Sequence, residues 1–209
     1  DGIITNDQFI HLVATVTSSN VMKLYQDGVL IGTLVSGVTA PTIMTRANHY
    51  LGRSNWDTDA MLKGYIKYFR VWQGHELTQD EVSHLYSHRD SAPLPSYAWD
   101  FRVDSSSGVI DTYNGLTSTY ENGLVSSMTM GAYFAGGGNS GGAYNYINLQ
   151  VFAVGGTCSF EAYVRYDDSS SYARVFDFGD GTYNDNIILS RADTSSKLYF
   201  ALVTGTTSG

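Results

Sequence analysis

Residues 63–86 read KGYIKYFRVWQGHELTQDEVSHLY, and this stretch decides the fold. Tyr65, Lys67, Phe69 and Val71 face one way and Ile66, Tyr68, Arg70 and Trp72 the other, the period of a β-strand. Gly74 ends the strand. Thr78 stands three residues before Glu81, the spacing at which a hydroxyl and a carboxylate each satisfy a free amide at a helix start. The short helix that follows turns Leu77, Val82, Leu85 and Tyr86 toward something apolar. A strand, one capped helix and then Ser91-Ala-Pro-Leu-Pro95 is how a domain closes, yet the closure falls near residue 90 of 209.

N-terminal to this stretch, Phe9–Thr17 is β-branched and alternating, a half-buried strand. Val21–Val35 holds two strands around Asp27-Gly28, a strong hairpin signal. Ser36–Arg46 reads as a loop containing Pro41, His49–Gly52 as a short strand, and Arg53–Asp59 as a polar loop carrying Trp56. C-terminal to it, Ala92–Ser96 is the one Pro-rich point and the linker candidate. Tyr97–Phe101 begins a new strand, and Arg102–Gly123 is a long polar excursion. Strands are expected at Met128–Phe134, Tyr144–Leu149, Thr157–Arg165, Ala173–Phe178, Asn186–Ser190 and Lys197–Val203, with a glycine-rich spacer at 136–142. About a dozen short strands and one short helix specify an all-β, two-sheet antiparallel jelly-roll sandwich. No internal repeat is visible.

Composition narrows the function classes. Only 15% of residues are charged and the formal net charge is −8, which offers no basic stripe to nucleic acid. No apolar run approaches the roughly 18 residues of a membrane span, so no membrane insertion is expected. The chain opens on Asp1-Gly2, without a signal peptide, and reads as a mature, cleaved or excised piece. Cys158, the single cysteine, alternates with Phe160, Ala162 and Val164 and reads as a buried small hydrophobe. His84 and His88 are one helical turn apart, but no third ligand stands near enough in sequence for a zinc site.

Several segments together resemble the laminin G-like branch of the concanavalin A-like jelly-roll superfamily. They are FIHLVATVT, KLYQDGVLIGT, HYLGRSNW, GYIKYFRVWQGHELTQDEVSHLY, WDFRVDSSSGVIDTYNG, CSFEAYVRYD and FDFGDGTYNDNIILSR. In that family the W-x-F strand comes first and the long strand with its helix comes last; here the order is rotated. Residues 1–90 resemble the C-terminal half of a module and residues 97–209 the N-terminal half, joined by a Pro-containing linker at 91–96. Joining Thr204–Gly209 to Asp1–Gln8 makes an ordinary loop. Two explanations stand. The chain is a permuted single domain, or it is one period of a tandem array whose halves complete neighbouring units.

The resemblance implies lectins, glycosidases and adhesion modules alike. A glycosidase needs clustered carboxylates. Glu76 and Glu81 belong to the helix region, Glu121 to a loop, and Glu161 alternates outward alone, so no catalytic residues are expected and the chain reads as not an enzyme. Many members hold a structural Ca²⁺, which implies Asp100, Asp104 and Asp111 as ligands; Lys67 stands where the family has a further Asp, so its ammonium is the competing neutraliser. A second acidic group, Asp177, Asp180 and Asp185, surrounds a turn. For sugar binding, an aromatic platform beside polar groups is required. Trp56 with Asn55, Asp57 and Asp59 is the first candidate, and Tyr183 with Asn184 the second. Trp72 and Trp99 read as core. The expectation is a non-catalytic module, extracellular or at the cell surface. It is first a structural and adhesive protomer that self-associates with neighbouring units, and alternatively a self-contained carbohydrate-binding module with glycans as partners.

Overall fold

The computed structural model describes residues 3–90, 93–138 and 144–203. The expected junction of residues 204–209 with Asp1-Gly2, linker residues Ser91-Ala92 and the end of the glycine run lie outside them.

Two antiparallel sheets face each other. The eight-stranded sheet runs in the order β3 (Val29–Leu34), β2 (Met22–Gln26), β1 (Phe9–Val16), β13 (Cys158–Tyr166), β6 (Ala60–Gln73), β10 (Gly131–Gly138) and β9 (Val125–Ser127), with β7 (Tyr97–Asp100) also on β6. The six-stranded sheet runs β16 (Leu198–Val203), β15 (Asn186–Arg191), β14 (Arg174–Gly179), β5 (Asn48–Leu51), β11 (Tyr146–Leu149) and β8 (Ser118–Glu121). A small pair joins β12 (Ala153–Val154) to β4 (Met44–Thr45). The hairpin expected at Asp27-Gly28 forms with both residues at positive φ, 51° and 82°, the backbone that matches the twist of the flanking strands.

Strands from the two ends of the sequence alternate in space. β1 lies between β2 and β13, β6 between β13 and β10, and β5 between β14 and β11. The connection after the helix is tied to the strand before it. The Trp72 indole donates to Pro93 O at 3.0 Å, Ser96 N donates to Val71 O at 2.8 Å, and β7 then pairs Tyr97 with Val71.

Alternation along these strands sends one face inward, and the core between the sheets is aromatic. Phe69, Trp99, Phe134, Phe160, Phe176 and Phe178 are all at most 1% exposed. At roughly 1.5–3 kcal/mol for each large side chain removed from water, this layer dominates the stability. A second, smaller cluster lies outside the eight-stranded sheet. There Val82 and Leu85 of the helix α1 (Gln79–His88), with Leu77 just before it, pack on Val13, Tyr25 and Trp72. Its start is the expected capping box: Glu81 N donates to Thr78 Oγ1, and Thr78 N donates to Glu81 Oε2 at 2.7 Å.

Four local expectations are corrected. The alternation in β6 slips at Lys67, the extra residue where pairing jumps from Tyr68↔Tyr163 to Ile66↔Val164. A bulge flips every side chain beyond it, so Ile66 joins Phe69 in the core and Tyr65 faces out beside Tyr133. Glu161 does turn away from the core, but α1 covers that face. The carboxylate is fully buried, accepting from Arg70 Nη1 at 2.9 Å and facing His11 Nε2 at 2.7 Å. It is an internal ion pair and not a solvated acid. Glu121 belongs to β8 and not to a loop, and residues 128–130 form a turn before β10.

Candidate functional site

The outer side of the six-stranded sheet carries a cleft of about 650 Å³, lined in part by Trp56, Asp59, Tyr172, Arg174, Tyr183 and Tyr199. Its two rims come from the β5–β6 loop and the β14–β15 turn, far apart in sequence. They meet as a ring pair: Trp56 and Tyr183 have centroids 5.2 Å apart at 87°, an edge-to-face contact. The first and second sugar-binding candidates are therefore one site.

A buried carboxylate builds the loop that holds Trp56. Asp177, on β14 and 0% exposed, accepts from Asn55 N at 2.9 Å, Asn55 Nδ2 at 2.8 Å and Asn186 Nδ2 at 3.0 Å. Ser54 Oγ donates to Asp59 Oδ2 at 2.9 Å and accepts from Trp56 N at 3.0 Å. Arg174, 4% exposed, donates to Asp59 at 2.5 Å and places its guanidinium carbon 5.5 Å from the centre of the Trp56 ring. Thr182 Oγ1 donates to Asn55 O at 3.0 Å, which stitches the two rims together. Arg174 and Asp59 are thus spent on each other, Asp193, the third charged group lining the cleft, is exposed and accepts from Ser171 Oγ at 2.8 Å, and Tyr183, 56% exposed, stands open to solvent.

The expected residues separate by role. Trp56, Asp59 and Tyr183 line the cleft. Asn55 is a positioning residue, its side chain held between Asp177 and Asn48. Asp57 is exposed beside the rim. Asn184 supports the turn, accepting from Asp180 N and donating to Asn186 Oδ1. Tyr172, Arg174 and Tyr199 were missed in sequence. They alternate on strands or lie at their ends, where nothing local distinguishes an outward residue beside a cleft from any other.

The implied calcium ligands are not brought together. Asp111, 2% exposed, accepts from Ala98 N and Asn114 N, both at 2.5 Å. Asp104 accepts from Met128 N at 3.2 Å. Asp100 pairs with Arg102 at 2.5 Å. Burial pushes its carboxyl up, but the hydrogen bonds and charge of Arg102 outweigh this and leave it below the usual range. Lys67 serves none of them; its ammonium sits 4.3 Å above the Phe9 ring. Among the described residues, no group of three or more His, Cys, Asp or Glu is placed to hold a metal ion. The donor set does not fit Ca²⁺, which needs six to eight converging oxygens.

No helix among the described residues is long and apolar enough to cross a membrane. Among curated proteins none matches this chain. The architecture is mostly β, in antiparallel sheets with one short helix, consistent with a concanavalin A-like sandwich. Residues 1–83, which carry β1 to β6 and the start of α1, match the family model described as the concanavalin A-like lectin/glucanases superfamily.

Proposed function

We propose that this chain is a self-contained, extracellular, non-catalytic module that binds a carbohydrate in the cleft beneath Trp56 and Tyr183. One observation carries the reading: two loops distant in sequence converge to set a Trp and a Tyr edge to face over a preformed cleft. Apolar ring faces with a few fixed polar groups are what a pyranose needs, since its C–H face stacks and its hydroxyls hydrogen-bond. The non-catalytic part is supported by the fate of the acids. Glu76 pairs with Lys23, Glu81 caps the helix, Glu161 is buried, and Asp59 is held by Arg174. None of the four glutamates of the sequence lines the cleft. The other reading, a structural and adhesive protomer completed by its neighbours, has less support, because strands of residues 1–90 pair with strands of residues 97–209 within one chain.

The test is a screen of neutral and acidic oligosaccharides followed by calorimetry. Selective binding is expected, weakened at least tenfold by Trp56→Ala and by Tyr183→Ala, roughly 1.4 kcal/mol or more, and retained in Tyr183→Phe. Silence across the panel, or binding indifferent to both alanines, would sink the reading.

A further inference from the structure

We infer that the outer face of the eight-stranded sheet carries a second binding site, which takes an oxyanion between Lys67 and Arg89. Distant parts of the chain build this face. Five of the twelve lysines and arginines stand over aromatic rings there: Lys67 and Arg165 over Phe9, Arg70 and Arg102 over Tyr68, and Arg89 over Tyr86. The rings touch in turn, Phe9 to Tyr163 at 5.1 Å and Tyr163 to Tyr68 at 5.8 Å. Three of the five cations are neutralised. Arg70 pairs with Glu161 at 2.9 Å, Arg102 with Asp100 at 2.5 Å and Arg165 with Asp167 at 2.6 Å. Lys67 and Arg89 have no carboxylate partner among the described residues, and Asp90, next to Arg89 in sequence, turns to His84 at 3.1 Å. Yet both cations stand over one ring: Lys67 Nζ is 5.6 Å and Arg89 Cζ 4.3 Å from the centre of Tyr163.

Like charges gathered this way repel. Burial first, then the charges of Arg102 and Arg89, lower the Lys67 ammonium below its usual range. The backbone adds a second sign. Arg89 caps α1 in the left-handed conformation, φ 58°, where helices commonly end on glycine; an arginine stands there against that preference. Hydrogen bonding supplies the third. Arg89 Nη1 and the Tyr68 hydroxyl are both buried, and neither meets an acceptor among the described residues. Burial keeps the phenol protonated. Phenol, guanidinium and ammonium are then all donors, and what the place lacks is an acceptor. An oxyanion brings several lone pairs and the missing negative charge together, and hydrogen bonds to it are charge-assisted. Lys67 and Arg89 are only half-buried, so the anion reaches them from solvent without opening the sheet. This site lies on the opposite sheet from the Trp56 cleft and does not rest on the carbohydrate reading.

Amide NMR of the 209-residue chain, titrated with sodium sulfate, sodium phosphate or sodium glucuronate against sodium chloride at equal ionic strength, tests this. Saturable shifts are expected around Lys67, Arg89 and Tyr163, with a dissociation constant in the millimolar range or below. Lys67→Met and Arg89→Gln each remove one charge-assisted contact and should weaken binding about tenfold, while the rest of the spectrum stays superimposable. Lys67→Met leaves the helix cap untouched, so its result stands even if Arg89→Gln frays α1. Lys197→Met makes the same change in net charge at the start of β16 on the other sheet, and it should bind as the parent does; so should Trp56→Ala. Preference for sulfate and phosphate would assign the site a compact inorganic-type anion, and preference for glucuronate a carboxylate on a larger group; either supports it. Shifts that never saturate with any of the three salts, shifts located elsewhere, or an affinity unchanged in Lys67→Met or equally reduced in Lys197→Met would each overturn the inference.

Discussion

His49 is the group whose titration should dominate the acid stability of this protein. It lies on β5, 0% exposed, with its ring stacked on Phe178 at 4.3 Å and edge-on to Phe152 at 4.5 Å. Neither ring nitrogen has a hydrogen-bond partner among the described residues. Burial in this aromatic layer, helped by the nearby Arg46 cation, pushes the imidazole down from 6.5 to about 3. The unfolded chain takes up the proton first as pH falls. The ring therefore costs nothing above about 6.5 and destabilises progressively between 6.5 and about 3. At 1.36 kcal/mol per unit, the 1.5 units between 6.5 and pH 5 remove about 2 kcal/mol, a large part of the 5–15 kcal/mol typical of a domain. His49→Leu keeps the site apolar and abolishes the term. Urea unfolding of both proteins at pH 7.5 and pH 5 isolates it, because every other titrating group is shared. The stability difference between variant and parent should move in favour of leucine by about 2 kcal/mol on acidification. A difference constant within about 0.5 kcal/mol, or an imidazole resonance titrating near 6.5 in the folded protein, would refute the reasoning.

Gly64 sits in the middle of β6 at φ 147°, where a Cβ would lie 1.8 Å from Arg165 O. Gly64→Ala must push β6 from β13 and should cost at least about 3 kcal/mol in urea unfolding; a cost below about 1 kcal/mol would mean the strands are not in this register. Glu161→Ala strands Arg70 and His11 without their carboxylate and should cost about 3–5 kcal/mol, whereas an outward-facing acid would cost next to nothing. Adding Ca²⁺ to a chelated sample should leave the thermal midpoint within about 1 °C, because Asp100, Asp104 and Asp111 are committed to separate partners; a rise of several degrees would show a site that stabilises by binding.

Much of the fold is written locally. The alternation of Cys158, Phe160, Ala162 and Val164, the Asp27-Gly28 turn and the Thr78–Glu81 capping box depend on neighbours a few residues away, and the structure contains all three. The candidate site was legible only as two separate fragments, Trp56 and Tyr183. Each advertises itself as an aromatic in a polar loop, but their meeting depends on β5 and β14 being adjacent in one sheet.

What the sequence alone determined is the class of structure, because side-chain period and turn chemistry are short-range. It also set the electrostatic character, because charge is additive along the chain. Tertiary structure decided the rest. Period-2 alternation says that Glu161 leaves the core, but only the packing of α1 makes its destination dry. The same alternation says that Lys67 joins Phe69, but the longer path of β6 beside β13 inserts one residue and turns it to the outer face. Burial and adjacency are properties of which strands become neighbours, and that is fixed only when the whole core closes.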